Sequence, residues 1–255
     1  MQKREYLNFE GITISSYEYG EFDKIFNILS PHKGIITAII KRIRKTSNKN
    51  FDYIDVFQKM NFKASITDNF YIIYEAKSVE TWFERPIKLT NLSSGNIIAE
   101  LTINFNSINE NNNYIYHLVS KCLKWISKDI FIFTLVYFQI KLLLAEGIFP
   151  EINICLNCNN KIQPGDYLLN LIESGIFCNK CSEKTKFSSL KLLEQEIRLL
   201  KHIKNTEYDN NLNINNIITK KVELSLYKKL STYIKFYTNK ELKSEKILFS
   251  SLNKY

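Results

Sequence analysis

Two different spacings of apolar positions divide the chain. Up to about residue 80, apolar and aromatic residues fall in short runs separated by turn residues, which predicts β-strands. Phe9–Ile14 opens a strand, and Tyr19, Gly20 and Glu21 mark a turn. Lys24–Leu29 and Gly34–Ile40 flank Ser30, Pro31, His32, Lys33 and Gly34, a compact turn with both proline and glycine. Two further runs, Tyr53–Phe62 and Phe70–Val79, are separated by a break at Thr67, Asp68 and Asn69. Short strands with tight turns predict a small barrel or sandwich. A partly open five-stranded Greek-key barrel, the OB-fold, is the natural candidate, although periodicity alone does not separate it from an SH3-like barrel.

Beyond about residue 81 the spacing becomes helical. Arg85 and Pro86 are compatible with a helix start, since proline is tolerated in the first turn. Residues 104–113 form an Asn-rich connection. Ile115, Leu118, Val119, Cys122 and Ile126 then share one helical face. Asp129 is placed to open the next helix, which Gly147 and Pro150 would close after Glu146. Its apolar stretch Ile130–Phe138 is well short of the ~20 residues needed to span a bilayer, so it reads as a buried helix. Further on, Ser189 could cap a helix carrying Leu193, Ile197 and Leu200. A last helix from about Lys220 would align Leu226, Leu230, Tyr233 and Tyr237. The expected organisation is a barrel over residues 1–80 and a helical domain over 81–255, interrupted by a small module at about 152–184.

That module is set by cysteine. Cys155 and Cys158 form one Cys-x-x-Cys pair, Cys178 and Cys181 a second, and residues 159–177 separate them. A two-residue gap lets both thiolates of a pair face one centre, and two such pairs complete a tetrahedron around Zn²⁺. The stretch between holds Pro164, Gly165, Ser174 and Gly175, so it reads as two small hairpins without a core of their own. Metal binding would supply much of their folding free energy. A redox motif would need only one pair, usually at a helix start; disulfides would fit a secreted protein, and the opening Met1–Glu5 carries no signal-peptide pattern. With four protein ligands the shell is closed, so one zinc per chain would be structural. Cys122 lies on an apolar helix face and reads as core.

Composition adds a net charge of +9, which favours anionic partners, nucleic acid above all. Lysine far outnumbers arginine, so part of the excess is a solvated surface. The charge clusters at Lys41, Arg42, Arg44, Lys45 and Lys49, with Lys33 upstream and no acidic residue from Lys33 to Asn50. Cations on a strand end and its loop can track phosphates of any sequence. The aromatics Phe51, Tyr53, Phe57, Phe62, Phe70, Tyr71 and Tyr74 could stack on bases, but most must fill the barrel. The far C-terminal region is also basic, with Lys220, Lys221, Lys228, Lys229, Lys235, Lys240, Lys243 and Lys246. Catalytic constellations are missing: His32, His117 and His202 are scattered, and the seven glycines form no phosphate loop. The expectation is a non-enzymatic, cytoplasmic protein with no membrane segment.

Several of these stretches together resemble the bacterial RecO family of DNA repair proteins over nearly the full length. They are Gly11–Ile12, Tyr19–Lys24, Leu29–Gly34, the basic run Lys41–Lys45, and Phe138–Pro150 followed by Cys155 and Cys158. Tyr233–Tyr237 with Leu242, Lys243 and Ser244 completes the set. Each piece is weak alone; their order and spacing are specific. The family's basic loop usually carries glycine after its first lysine, where this chain has Arg42, and its second domain is usually richer in arginine.

The resemblance implies an OB-fold, then a helical domain with an inserted zinc module, and a role in recombinational repair without nucleotide hydrolysis. It implies binding of single- and double-stranded DNA, annealing of complementary strands, and help to RecA on DNA coated by single-stranded-DNA-binding protein (SSB). RecR and in some settings RecF are the implied helpers, the acidic SSB C-terminal tail an implied ligand of the helical domain, and the nucleoid the place of work. The competing expectation is a zinc-containing adaptor for acidic protein partners with incidental DNA contact. A nuclease with an unrecognised site is a third.

Overall fold

In the computed structural model, β1 (Leu7–Tyr19) is long enough to serve two partners, and this closes the N-terminal sheet into a barrel. The structure describes residues 6–44, 51–67, 70–105, 113–182, 188–208 and 219–252. The first half of β1 pairs with β4 (Gln58–Ile66) from Leu7↔Ala64 to Ile12↔Lys59. Its second half pairs with β2 (Asp23–Ser30) from Ile12↔Leu29 to Tyr19↔Asp23, with a bulge between Thr13 and Ser15. β3 (Gly34–Ile40) runs antiparallel to β2 and parallel to β5 (Tyr71–Thr81), and β5 returns antiparallel to β4. The order β1-β2-β3-β5-β4 is the five-stranded barrel expected from the strand pattern. Phe26, Ile28, Ile36, Ala38, Ile40, Met60, Phe62, Ala64, Ile73 and Ala76 fill it, taken from alternate positions of β2, β3 and β4 because successive side chains point to opposite faces, with a register shift between Ile73 and Ala76 on β5.

One strand boundary differs from the sequence pattern. The run from Tyr53 does not begin a strand; β4 starts at Gln58. The Asp55 N–H donates to Gln58 Oε1 at 2.7 Å, the Val56 N–H donates to Asp55 Oδ1 at 2.8 Å, and Phe57 has φ 60°. Local side-chain acceptors outcompete the ladder here.

The described residues contain six helices: α1 (Leu89–Phe105), α2 (Asn113–Ile126), α3 (Phe131–Ala145), α4 (Glu194–Asn205), α5 (Lys220–Thr238) and α6 (Lys243–Leu252). By their contacts the chain forms two compact units, Met1–Asp129 with Leu242–Tyr255, and Ile130–Glu241. In the first, α1 and α6 are joined chemically: the Glu100 carboxylate accepts the Lys243 and Ser244 N–H groups at 2.7 and 3.1 Å, a carboxylate on the positive end of α6. Gly95 lets α1 lie against the barrel end, since a Cβ there would stand 2.9 Å from the Phe57 ring. Arg85 and Pro86 do not open α1, which begins three residues later; their peptide bond is cis.

In the second unit α3 is apolar all round and buried, as its composition requires. Its buried polar side chains Thr134, Gln139 and Lys141 each make a hydrogen bond, Thr134 to the Ile130 carbonyl. Lys141 Nζ meets Glu207 at 2.7 Å, and Gln139 Nε2 donates to Ser231 at 2.8 Å. Asp129 does not cap α3; Ile130 holds the cap position, and Asp129 pairs with Lys88 instead. Gly147, at φ 70°, follows the helix end as expected. Ser189 does not cap α4 either. It starts a strand, and the Leu193 N–H at the head of α4 is held by the Glu196 carboxylate at 2.7 Å. The single last helix of the sequence pattern is two: Asn239, left-handed at φ 52°, ends α5 before α6 begins. Among the described residues no helix is long and apolar enough to cross a membrane.

Candidate metal centre and nucleic-acid interface

The four cysteines converge although their pairs are far apart in sequence. Cys155 through Asn159 form one tight turn, closed by Asn159 N–H to Cys155 O at 2.9 Å, with Asn159 at φ 57°. Cys178 and Cys181 form the other, closed by Cys181 N–H to Cys178 O at 2.8 Å. Between them, β6 (Tyr167–Asn170) and β7 (Gly175–Phe177) make a hairpin. β8 (Ser189–Leu192) adds a third strand in the order β7-β6-β8. Of the two expected hairpins one is real; the other is a single bridge, Ile154↔Lys161. The first turn docks on β7 through Leu156, whose N–H bonds Ile176 O at 3.0 Å. Gly175 makes room for it, since a Cβ there would lie 2.7 Å from the Leu156 side chain and displace it.

All four Sγ atoms lie within 4.8 Å of one another. Four thiolates bound tetrahedrally at ~2.3 Å stand roughly 3.8 Å apart; Cys158 Sγ and Cys178 Sγ are 3.8 Å apart. N–H groups already point at the sulfurs. The Cys178 N–H reaches Cys155 Sγ at 3.3 Å and Asn157 Nδ2 reaches Cys181 Sγ at 3.2 Å. Burial pushes the Cys155 thiol up, but the N–H groups of Cys158, Cys178 and Asn157 outweigh it and bring its pKa down to about 6. Asn157 favours the Cys181 thiolate too, yet burial and the other three sulfurs win and push it up to about 11. Four sulfurs this close cannot all be charged without a cation among them, and a coordinating ion deprotonates thiols outright. The residues therefore fit a four-thiolate metal site. Among the described residues, Phe177 packs with Cys155 and Cys181 beneath them, with Leu156, Ile162 and Cys178 around. Cys122 is apart, fully buried in α2, where burial raises its thiol.

The basic cluster is split by the fold. Lys41, Arg42 and Arg44 are exposed in the turn after β3, whereas Lys33 sits in the β2–β3 turn at the other end of the same strand. Seven strand residues separate them, roughly 23 Å. Lys33 instead lines a cleft of about 600 Å³ with Tyr6, Ile66, Thr67 and Tyr74. Lys45 and Lys49 lie outside the described residues. The turn itself is latched to the β1–β2 turn. The Arg42 N–H donates to Asp23 Oδ1 at 2.7 Å, the Arg44 N–H bonds Phe22 O at 3.1 Å, and Arg44 pairs with Glu18 at 3.1 Å. Arg42 has φ 56°, so it occupies a conformation that glycine adopts without cost.

Of the barrel aromatics, Phe57 and Phe62 are core, and Phe51, Tyr71 and Tyr74 are partly covered; Phe70 and Tyr53 face solvent. The C-terminal lysines do not form one stripe. Lys229 is tied to the buried Glu196 at 2.6 Å and Lys235 to Glu241 at 2.5 Å, while Lys243 and Lys246 belong to α6 in the other unit.

Two outcomes check this geometry. Elemental analysis by mass spectrometry should find one metal ion per wild-type chain and near none in Cys155→Ser, with a lower melting temperature in the variant. Equal metal content and melting would remove the site. Arg42→Gly should raise unfolding stability in urea by about 0.5–1 kcal/mol, because relief of left-handed strain exceeds the entropy glycine adds to the unfolded chain.

Comparison with known proteins agrees with both halves of this architecture. Residues 1–82 match the family described as "Recombination protein O N terminal", and residues 88–246 match "Recombination protein O C terminal". A "DNA repair protein RecO" of Caldicellulosiruptor saccharolyticus is 25% identical over 244 residues, 91% of this chain and 99% of its own. Those of Bacillus subtilis (23% over 243 residues, 94% and 92%) and Dehalococcoides mccartyi strain 195 (22% over 247 residues, 96% and 95%) are similar along almost their whole lengths. Both family matches together span nearly the entire sequence, and the chain belongs to the RecO family of DNA repair and recombination proteins.

Proposed function

We propose that this chain is a recombination mediator that acts by binding and annealing DNA rather than by catalysing a reaction. The observation that carries the reading is the exposed turn of Lys41, Arg42 and Arg44 on the rim of a closed five-stranded barrel, in a chain of the RecO family. Two complementary strands repel through their phosphates, and each phosphate that a lysine or arginine neutralises releases counterions. The turn would neutralise phosphates on both strands while the barrel holds one of them. Lys45 and Lys49 extend the same cluster in sequence; Lys33, at the far end of β3, would meet a different part of a bound strand. The Arg44–Glu18 pair is exposed on both sides, so it holds Arg44 weakly and yields readily to a phosphate.

In this reading the metal is Zn²⁺ and structural. Cys155, Cys158, Cys178 and Cys181 would fill its shell, leaving no position for water or substrate. RecR, with RecF in some settings, would act alongside to help RecA replace SSB on single-stranded DNA, in the cytoplasm and at the nucleoid. The acidic SSB tail would meet the helical region. A second reading, an adaptor for acidic proteins, draws on α5, where Lys221, Lys228, Phe236 and Tyr237 face solvent.

The test is ATP-free annealing of fluorescent complementary oligonucleotides coated with cognate SSB. Wild type should accelerate annealing, and Lys41/Arg42/Arg44→Ala should lose most of that acceleration while keeping its metal and its melting temperature. A variant as active as wild type would move the DNA surface elsewhere. A wild type without acceleration, but able to bind the SSB tail, would favour the adaptor.

A further inference from the structure

Tyr53 has the most exposed aromatic ring among the described residues, with 67% of its surface accessible, yet almost everything around it is fixed. On its N-terminal side, the Asp52 N–H bonds Ala76 O at 3.0 Å and the Asp52 carboxylate accepts the Ser78 N–H at 2.8 Å. On its C-terminal side, the Asp55 N–H is held by Gln58 and the Asp55 carbonyl by the buried Thr13 hydroxyl at 2.6 Å. The ring itself is backed by a cation: the Arg85 guanidinium carbon lies 4.4 Å from the ring centroid, and Arg85 also donates to the Tyr53 hydroxyl at 3.3 Å. Arg85 is in turn clamped by Asp55. One face of the ring is thus supported by Arg85. The Asp55 carboxylate is paired with Arg85, and that of Asp52 accepts the Ser78 N–H and lies 3.7 Å from Lys77.

Strand register places this ring. β3 leaves the barrel into the Lys41–Arg44 turn, and β5 runs parallel to it, so the C-terminal end of β5 points to the same rim. Gln58↔Thr81 ties the start of β4, and with it the segment that carries Tyr53, to that end of β5.

We infer that Tyr53, buttressed by Arg85, is a stacking platform for one unpaired nucleobase, on the same barrel rim as Lys41, Arg42 and Arg44, and that it makes this rim favour single-stranded over duplex DNA. The inference rests on the reading that the rim binds DNA, and adds which form it selects. Phosphate contacts from lysine and arginine serve both forms. Both faces of a base inside a duplex are already covered by its neighbours, so a protein ring can only reach a base that is unstacked. A ring held in advance by its surroundings loses little freedom on binding. Base–aromatic stacking is worth about 1–3 kcal/mol per base by alanine substitution, or roughly 5- to 150-fold in affinity.

The experiment measures dissociation constants by fluorescence anisotropy for a labelled oligo-dT and a labelled hairpin duplex, at one salt concentration. Wild type, Tyr53→Ala, Tyr53→Trp and Lys41/Arg42/Arg44→Ala are compared, with melting temperatures beside them. Tyr53→Ala should weaken oligo-dT binding about five-fold or more and duplex binding less than two-fold. Tyr53→Trp should keep oligo-dT affinity, with its emission quenched on binding, and it carries the test if the alanine variant is destabilised. The charge variant should lose both ligands. Unchanged oligo-dT affinity in Tyr53→Ala, or equal loss on both ligands, overturns the platform and leaves Tyr53 as a shield for the Arg85–Asp55 pair. If the charge variant loses neither ligand, the DNA-binding rim itself is wrong, a separate failure from that of the platform.

Discussion

Thr13 is the hinge of the N-terminal unit. It stands where β1 exchanges β4 for β2, at the bulge that lets one strand close the barrel. Being fully buried, its hydroxyl needs partners, since an unmet buried polar group costs about 1–3 kcal/mol. It finds them at the start of β4 and just before it, accepting the Gln58 N–H at 3.1 Å and donating to the Asp55 carbonyl. The Thr13 carbonyl takes the Phe57 N–H as well. One residue thereby satisfies the bulge, fixes the start of β4 and anchors the peptide that presents Tyr53. Phe57, left-handed at this anchor, puts its ring against Gly95 of α1.

The barrel and the cysteine module are stabilised by different means. The barrel has an interior of branched aliphatic and aromatic side chains from all five strands, and hydrophobic burial suffices for it. The cysteine module has strands of three or four residues, and beside its buried Leu169, Ile176 and Phe177 a metal ion on the four sulfurs would add a cross-link between its two turns. The basic turn on the barrel is held by neither. Its path is set by backbone hydrogen bonds to Asp23 and Phe22, which leave the cationic side chains outside.

Much of this was legible in the sequence because the signals were local. The cysteine spacing picked out the four sulfurs that converge, and alternation with tight turns located the barrel. The errors came where side chains competed with backbone patterning. Asp55 and Gln58 capture N–H groups that strand propensity would have assigned to a ladder, and Ser189 lies in a strand because β6 offers it an edge. Asn239 interrupts a helical pattern by turning left-handed, a choice that asparagine permits but does not announce. Arg42 shows the converse: a non-glycine residue in the glycine-like conformation, with its N–H secured by Asp23. Tyr53 could not be told from its neighbours, since what distinguishes it is Arg85, far away in sequence. The separation of the helices into two units is likewise a matter of long-range contacts.

In the proposed reading this barrel rim engages DNA through Lys41, Arg42 and Arg44 as point charges on phosphates. The most direct measurement is the salt dependence of oligo-dT binding in wild type and the triple alanine variant. Log affinity falls with log salt by about 0.7 per neutralised phosphate on a single strand. If all three side chains contact phosphates, the variant's slope should be shallower by roughly two. Parallel lines for the two proteins would mean that these three cations do not touch the DNA.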